Sequence, residues 1–270
     1  ELEDAKWKDM GAHISSRIRI TSQEKILSAC VLSRFDTAGY ILTLTKRGMI
    51  KRTAIRDYAS SRTSKTMTNI KLEEGDSVIA CLFAQEEDEI LIASQSGYVT
   101  RYPITLVPQT STRSKGVRAM NLSEEEVAAA CIHHQDNAQL LIISDQCAMK
   151  RVKLTDIPVL GRPTRGVRVC KRLKSKPYVI AHIRTYQLND SFMLIGEENA
   201  YLTMKDIALM SCDSTFSNPL RHTENFRFYE PLARIEYEPE LQKTDGEEAM
   251  ELSDDFEEDY IDGQMSLFDE

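Results

Sequence analysis

Apolar residues in this chain come in short runs, each followed by a polar turn and a second run that mixes apolar with charged positions. The runs at 41–44 (Ile-Leu-Thr-Leu), 90–93 (Ile-Leu-Ile-Ala), 140–143 (Leu-Leu-Ile-Ile) and 193–195 (Met-Leu-Ile) are too short for helices and read as strands. Their turns correspond as well: TKRGMIKR from Thr45, SQSGYVTR from Ser94, SDQCAMKR from Ser144 and, shifted by one, EENAYLTM from Glu197. The turn positions Gly48, Gly97, Cys147 and Ala200 stand 49, 50 and 53 residues apart. A fixed period of that length marks stacked or radially arranged supersecondary units rather than one ordinary domain.

Within each period the pattern predicts strand almost throughout. The first unit offers 41–44, 49–53, 67–71 and 78–83, and the second 90–93, 98–102, 117–120 and 127–132. The third offers 140–143, 148–152, 167–170 and 178–183, and the fourth 192–195, 201–204, 225–228 and 232–237. The stretch SEEEVAAA (123–130) has the N-cap and first-turn acids of a helix. The corresponding runs at 78–83 and 178–183 are strand-like, so it too is assigned to a strand. The expected fold is all-β, a propeller-like array of four-stranded blades of about 50 residues each. Blades fall near 37–85, 86–135, 136–187 and 188–237, and residues 1–36 match only the second half of one. The chain therefore reads as a piece of a longer one.

Composition adds a division of charge. The 270 residues are 41% apolar and 28% charged, ordinary for a protein with a buried core. No apolar run approaches the roughly 18 residues of a membrane span, and the N-terminus has no basic leader followed by an apolar stretch. The net charge of −8 is uneven: residues 238–270 hold 14 acidic residues and one Lys, which leaves +5 on the rest. A basic body with an acidic, disordered tail is the pattern of a nucleic-acid binder that carries its own competitor.

Enzyme chemistry finds no foothold. There is no P-loop, GxSxG or HExxH, and the carboxylates at 86–89 and 124–126 read as solvated linkers, so no catalytic residue is expected. Cys30, Cys81 and Cys131 are 51 and 50 apart in matching runs, with Ala181 in the fourth copy, so cysteine there acts as a small buried apolar residue. No CxxC occurs, and His133 and His134 lack partners at ligand spacing, so neither metal nor cofactor is expected. Free thiols in a core suit a reducing cytoplasm.

The specific signal is basic. Lys46, Arg47, Lys51, Arg52 and Arg56 flank the first turn, with Lys65 on its loop. Arg101 takes the Arg52 slot in the second unit, with Arg113, Lys115 and Arg118 on the loop. Lys150 and Arg151 follow in the third, with Arg165 and Arg168. The submotif SKGVR (114–118) returns 50 residues later as TRGVR (164–168). Gly116 and Gly166 are expected to let backbone amides approach a phosphate that the flanking cations neutralise. The basic pair after each turn is expected on the outside, as a positive stripe that takes duplex DNA by its backbone. No helix or ribbon offers base readout. The alternative is a propeller that serves as a protein-interaction platform, with an exposed apolar patch and weak, salt-insensitive DNA binding.

The TKRGMIKRT turn, the SKGVRAMNL and TRGVRV loops and WKDMGAHIS near the start resemble the C-terminal domain of the A subunit of bacterial topoisomerase IV, of the Gram-positive kind, over residues 1–237. The glutamine-arginine-arginine-glycine-glycine box of the gyrase A subunit is absent. The resemblance implies a β-pinwheel, in which blades exchange strands with their neighbours. It also implies an accessory domain that binds and bends duplex DNA and presents a segment for strand passage. Its partners would be the remainder of the A subunit, and through it the B subunit, in the bacterial cytoplasm at the nucleoid. The parent would be an ATP-dependent type IIA topoisomerase whose catalytic tyrosine and metal region lie outside this chain. The fourth unit departs from the pattern, since Met204 stands in the Arg slot and few cations follow. At the C-terminus, QMSLF (264–268) is similar to the peptide that bacterial proteins insert into the sliding clamp. There Leu267 and Phe268 would be apolar anchors and Gln264 would hydrogen-bond beside the pocket.

Overall fold

A computed structural model describes residues 6, 8–21, 23–29, 32, 34–60, 66–134, 138–175, 177–195, 199–220 and, as backbone, 227–229. They belong to one compact unit, Glu1–Ile235; a second, Glu236–Glu270, lies wholly outside the described residues. Lys65, Cys30, the run at 232–237, the acidic tail and the QMSLF peptide with Gln264, Leu267 and Phe268 are outside them too.

The first unit supplies β1 (Tyr40–Thr45), β2 (Met49–Ala54) and β3 (Val78–Ala84). The second supplies β4 (Glu89–Ser94), β5 (Tyr98–Pro103), β6 (Val117–Arg118) and β7 (Val127–His133). Next come β8 (Gln139–Ser144), β9 (Met149–Lys153), β10 (Val167–Arg168) and β11 (Ile180–Tyr186). The last are β12 (Ser191–Ile195), β13 (Ala200–Thr203) and β14 (Arg227–Tyr229). The helix-like acids at 123–126 thus lead into a strand. The predicted strand at 67–71 shrinks to one bridge between Ile70 and Ser114.

The first three periods open with a hairpin whose turn needs a left-handed residue. Gly48 (φ 78°), Gly97 (φ 87°) and Cys147 (φ 54°) supply it, the geometry of a tight turn closed by a bulge. A buried hydroxyl at the end of each first strand completes the turn. Thr45 Oγ1 accepts from Met49 N (3.0 Å), Ser94 Oγ from Tyr98 N (3.2 Å) and Ser144 Oγ from Ala148 N (3.1 Å).

The fourth hairpin corrects the sequence alignment. Ser191 pairs with Thr203 where Gln139 pairs with Lys153, so this hairpin is two residues shorter. Ala200 is not a turn residue but lies in β13 opposite Leu194, and Tyr201, not Met204, falls in the Arg slot. Met204 drops into the sealed apolar position held elsewhere by Ile55, Ile104 and Leu154.

The sheets are antiparallel, ordered β3-β1-β2-β6, β7-β4-β5-β10, β11-β8-β9 and β14-β12-β13. Their outer strands are exchanged: β6 leaves the second unit to pair with β2, and β10 leaves the third to pair with β5. Ser217 of the fourth unit repeats this opposite Met149 as a single bridge. The fold is therefore the all-β, strand-exchanging array that the resemblance implied.

Stacking explains the apolar runs. Ile90 and Ile92 pack with Leu42, Leu44 and Ile50 of the first sheet, whereas Leu91 and Ala93 pack with Leu140 and Ile142 of the third. Leu141 and Ile143 turn to Phe192 and Leu194 of the fourth. Two buried faces demand unbroken apolar runs, and each sealed Leu or Ile contributes about 1.5–3 kcal/mol. The first sheet instead carries Thr43 on its other face, capped by Asn69 Nδ2 (2.6 Å), whose Oδ1 accepts from Tyr58 Oη (2.6 Å). Cys81 pairs with Thr43 but Cys131 with Leu91, one register position apart, so the two cysteines do not share a slot. The half-unit expected before residue 36 forms no strand among the described residues: a single 3₁₀ turn, Ile14–Ser16, interrupts exposed chain in which Met10, Ile14, Ile26 and Leu27 face solvent.

Candidate nucleic-acid interface

The basic pair after each turn lies inside the array, not on its surface. Lys51 and Lys150 are 1% and 0% exposed. Lys51 Nζ donates to the carbonyls of Asn69 (2.6 Å) and Ser111 (2.9 Å), and Lys150 Nζ to those of Ser211 (2.9 Å), Cys212 (3.1 Å) and Ser214 (3.1 Å). Burial pushes both ammonium groups below the ordinary lysine value. In the second unit the slot holds Thr100, whose hydroxyl meets that of Thr164 at 2.8 Å.

The neighbouring arginine ties each unit to the next. Arg101 Nη1 donates to Leu154 O (3.0 Å) while its Nε donates to Glu89 (2.6 Å). Arg151 Nε donates to Ile207 O (2.6 Å) and its Nη1 to Gln139 Oε1 (2.6 Å). Arg52 is 8% exposed, stacked 4.5 Å from the Tyr40 ring centroid. The carbonyls of these arginines accept from Thr110, Leu160 and Met210 N–H of the following units at 2.8, 2.8 and 3.0 Å. The side chains of Lys51, Arg101, Lys150 and Arg151 are thus latches between units, whereas Arg52 joins the next unit through its carbonyl and lies 4.0 Å from Glu86. A junction that recurs once per unit demands a basic residue at fixed phase just as a DNA track would.

The glycines of the second submotif are corrected likewise. A Cβ on Gly116 would stand 2.4 Å from Ile50 O, and one on Gly166 (φ +83°) 2.0 Å from Val99 O. These glycines approach the backbone of the preceding hairpin, and that close approach admits β6 and β10 to foreign sheets.

Around those crossing points the cations do face solvent. Arg113, Lys115, Arg118 and Arg165 are exposed and Arg168 is half-buried. Arg162 Nη1 donates to Arg118 O (2.6 Å) and Asn121 N to Thr164 O (2.9 Å), which joins the loops of the second and third units edge to edge. Arg165 and Arg168 lie over one ring, Tyr98, at 4.0 and 4.5 Å from its centroid, and Arg168 Nη2 donates to Tyr98 Oη (2.5 Å). Sequence reasoning missed Tyr98. Its signal was an aromatic directly after the turn, where the other units have Met49 and Ala148. Beside it opens a cleft of about 450 Å³ between Glu124, Glu125, Arg165, Arg168, Lys171, Arg172 and Tyr178. Arg47 and Arg56 are exposed on the first unit, while Lys46 pairs with Glu126 at 3.0 Å. In the fourth unit Thr215 and Asn218 replace Arg165 and Arg168. Among the described residues no three metal-ligating side chains come together, and no helix is long and apolar enough to cross a membrane.

The family described as DNA gyrase C-terminal domain, beta-propeller, matches residues 39–85, 88–132 and 138–184. The A subunit of DNA topoisomerase 4 from Bacillus subtilis (strain 168) is 34% identical over 118 residues, covering 44% of this chain and 15% of the relative. The same protein of Streptococcus pneumoniae serotype 4 is 34% identical over 121 residues, again covering 44% and 15%. The match therefore spans 15% of the length of these curated relatives. A crystal structure of the C-terminal domain of DNA topoisomerase IV superposes with a TM-score of 0.74 at 28% identity, covering 80% of this chain and 68% of that one. The DNA gyrase A C-terminal domain follows at 0.70 and 21% identity, covering 81% and 73%, a likeness of fold.

Proposed function

The chain belongs to the family of DNA gyrase C-terminal domains, and on that premise we propose that it binds duplex DNA as the accessory domain of a topoisomerase IV A subunit. The observation that carries the reading is the row of cations at two successive exchanged strands, exposed Arg118 and Arg165 and half-buried Arg168, joined through Arg162. Cations on strand edges and loops can neutralise phosphates, and the described residues form no α-helix that could read base edges in a groove. Binding is therefore indifferent to sequence. Cations on successive blades engage one duplex together only if it curves from one to the next, so binding bends the DNA. In the parent enzyme the bent segment is presented for strand passage, and the domain works with the rest of the A subunit, and with the B subunit, in the bacterial cytoplasm. Leu267 and Phe268, with Gln264, would reach a sliding clamp; anisotropy of a labelled 258–270 peptide, against a Leu267→Ala, Phe268→Ala control, tests that contact.

The function itself is tested by titrating an end-labelled random-sequence duplex and reading binding by anisotropy and bending by energy transfer. With about five phosphates neutralised the log-log salt slope is about −4.5. Transfer that rises on binding supports the reading. Binding that ignores salt, or that leaves the ends no closer, overturns it.

A further inference from the structure

The loop before the last strand of each of the first three units changes sign along the chain. It reads KLEEGD at 71–76 and NLSEEE at 121–126, but KRLKSK at 171–176. In the first two copies the acids reach cations of the outer surface. Glu73 pairs with Lys115, Glu126 with Lys46 (3.0 Å) and Glu125 with Arg165 (3.6 Å). The third copy offers Lys171, Arg172 and Lys174, exposed and without an ion pair among the described residues. The cations that matched one another in sequence are therefore not equivalent, because several are already neutralised.

The contrast is sharpest in the cleft beside Tyr98. Arg165, Arg168, Lys171 and Arg172 line it together with exposed Glu124 and half-buried Glu125. Glu125 is fixed there, since its carboxylate accepts from Ser96 N (3.1 Å). Burial alone would raise its pKa, but hydrogen bonds from Ser96 and Ser94 and the nearby Arg165 outweigh that and hold it below the usual carboxylate range. The carboxylate stays charged at neutral pH and takes the place beside Arg165 that a phosphate would take.

We propose that this cleft is the anchoring phosphate contact of the DNA track, and that Glu125 is a built-in competitor that holds its affinity down. The proposal rests on the DNA-binding reading and adds where the duplex is held most tightly and what opposes it. Lys46 and Lys115, paired with acids, contribute little by comparison.

Three variants of the full chain test it on a random-sequence duplex across salt. Glu125→Gln keeps an oxygen for the Ser96 N–H while removing the charge. It should tighten binding about threefold at low salt, the scale of one surface ion pair, and steepen the salt slope by up to about 0.9. Lys171→Gln, Arg172→Gln should weaken binding at least about tenfold and flatten the slope by about 1.8. Lys46→Gln, Lys115→Gln makes the same change in net charge and should cost less than about threefold, as expected of cations already paired. Melting curves that match the parent show that the fold is intact. Unchanged affinity in Glu125→Gln, or equal losses in the two double variants while the parent still binds DNA, overturns this inference alone. A parent chain that does not bind duplex at 50 mM salt (roughly the lower end of the useful range) overturns the DNA-binding reading along with it.

Discussion

Gly166→Ala should break the exchange of β10 into the second sheet. Gly166 has φ +83°, a backbone state that costs an alanine about 1 kcal/mol. The added Cβ would stand 2.0 Å from Val99 O, 2.4 Å from Val99 C and 2.7 Å from Thr100 N. These are backbone atoms in the middle of a sheet, so no side-chain rotation relieves the overlap, and β10 must lift away from β5. Lifting it surrenders the pairing of Val167 with Val99 and Arg168 with Tyr98, and the 2.8 Å bond from Val169 N to Gly97 O. At about 0.5–1.5 kcal/mol net for each hydrogen bond, the loss with the strain reaches about 3 kcal/mol or more. For a domain of this size that lowers the melting temperature by about 6–12 °C. Gly161→Ala is the control: its Cβ would meet nothing within 4 Å, and the change should stay within about 0.5 kcal/mol. Far-UV circular dichroism melts and urea titrations of both variants decide the matter. If Gly166→Ala melts with Gly161→Ala, the close passage of β10 over Val99 is not what requires glycine.

The latch arginines should matter for stability and not for DNA. Arg151→Lys cannot hold both Ile207 O and Gln139 Oε1 and should cost about 2 kcal/mol in a urea titration, with the salt slope of DNA binding unchanged. The buried ammonium groups carry a pH signature. Because burial lowers the folded-state pKa of Lys150 and Lys51, the unfolded chain binds more protons between that value and the ordinary lysine value. The penalty is therefore full below the window, relieved as pH rises through it and absent above it. Lys150→Met should flatten that alkaline rise in the urea midpoint. Tyr98→Leu should remove the stacking partner of Arg165 and Arg168. At about 0.5–1 kcal/mol for each of the two contacts it should weaken DNA binding about five- to thirtyfold, read by anisotropy.

Much of the architecture was legible because it is local. A β-branched run, a hydroxyl at its end and a left-handed turn residue are all printed within a dozen positions, and they recur. The exchange of β6 and β10 was legible only through the family resemblance, since a two-residue Val-Arg strand looks the same whichever sheet it joins. What decides is how closely Gly116 and Gly166 pass a foreign backbone. The role of Lys150 was hidden for a related reason: its acceptors are carbonyls at 211, 212 and 214, far along the chain and carrying no side-chain signal. Repetition at fixed phase singled out Arg52, Arg101 and Arg151, but it could not tell a repeated surface from a repeated junction. The missing two residues of the fourth hairpin moved Met204 into the Arg slot on paper, whereas its apolar side chain belongs with Ile55, Ile104 and Leu154. The exposure of Lys115, Arg118 and Arg165 was readable, because short strands at a sheet edge leave long cations nowhere else to go.

Two basic motifs divide the labour: one holds the units together, and the other is proposed to hold DNA. Arg118→Ala, Arg165→Ala, Lys171→Ala, combined in one chain, removes three exposed cations and no latch. Its affinity for a random-sequence duplex, measured between 50 and 200 mM salt (about the range over which counterion release dominates), is the most direct test. The expected result is a loss of at least about tenfold and a log-log slope shallower by about 2.7, one step of about 0.9 for each phosphate contact, with the melting temperature unchanged. A triple variant that binds with the parent's affinity and slope would contradict it.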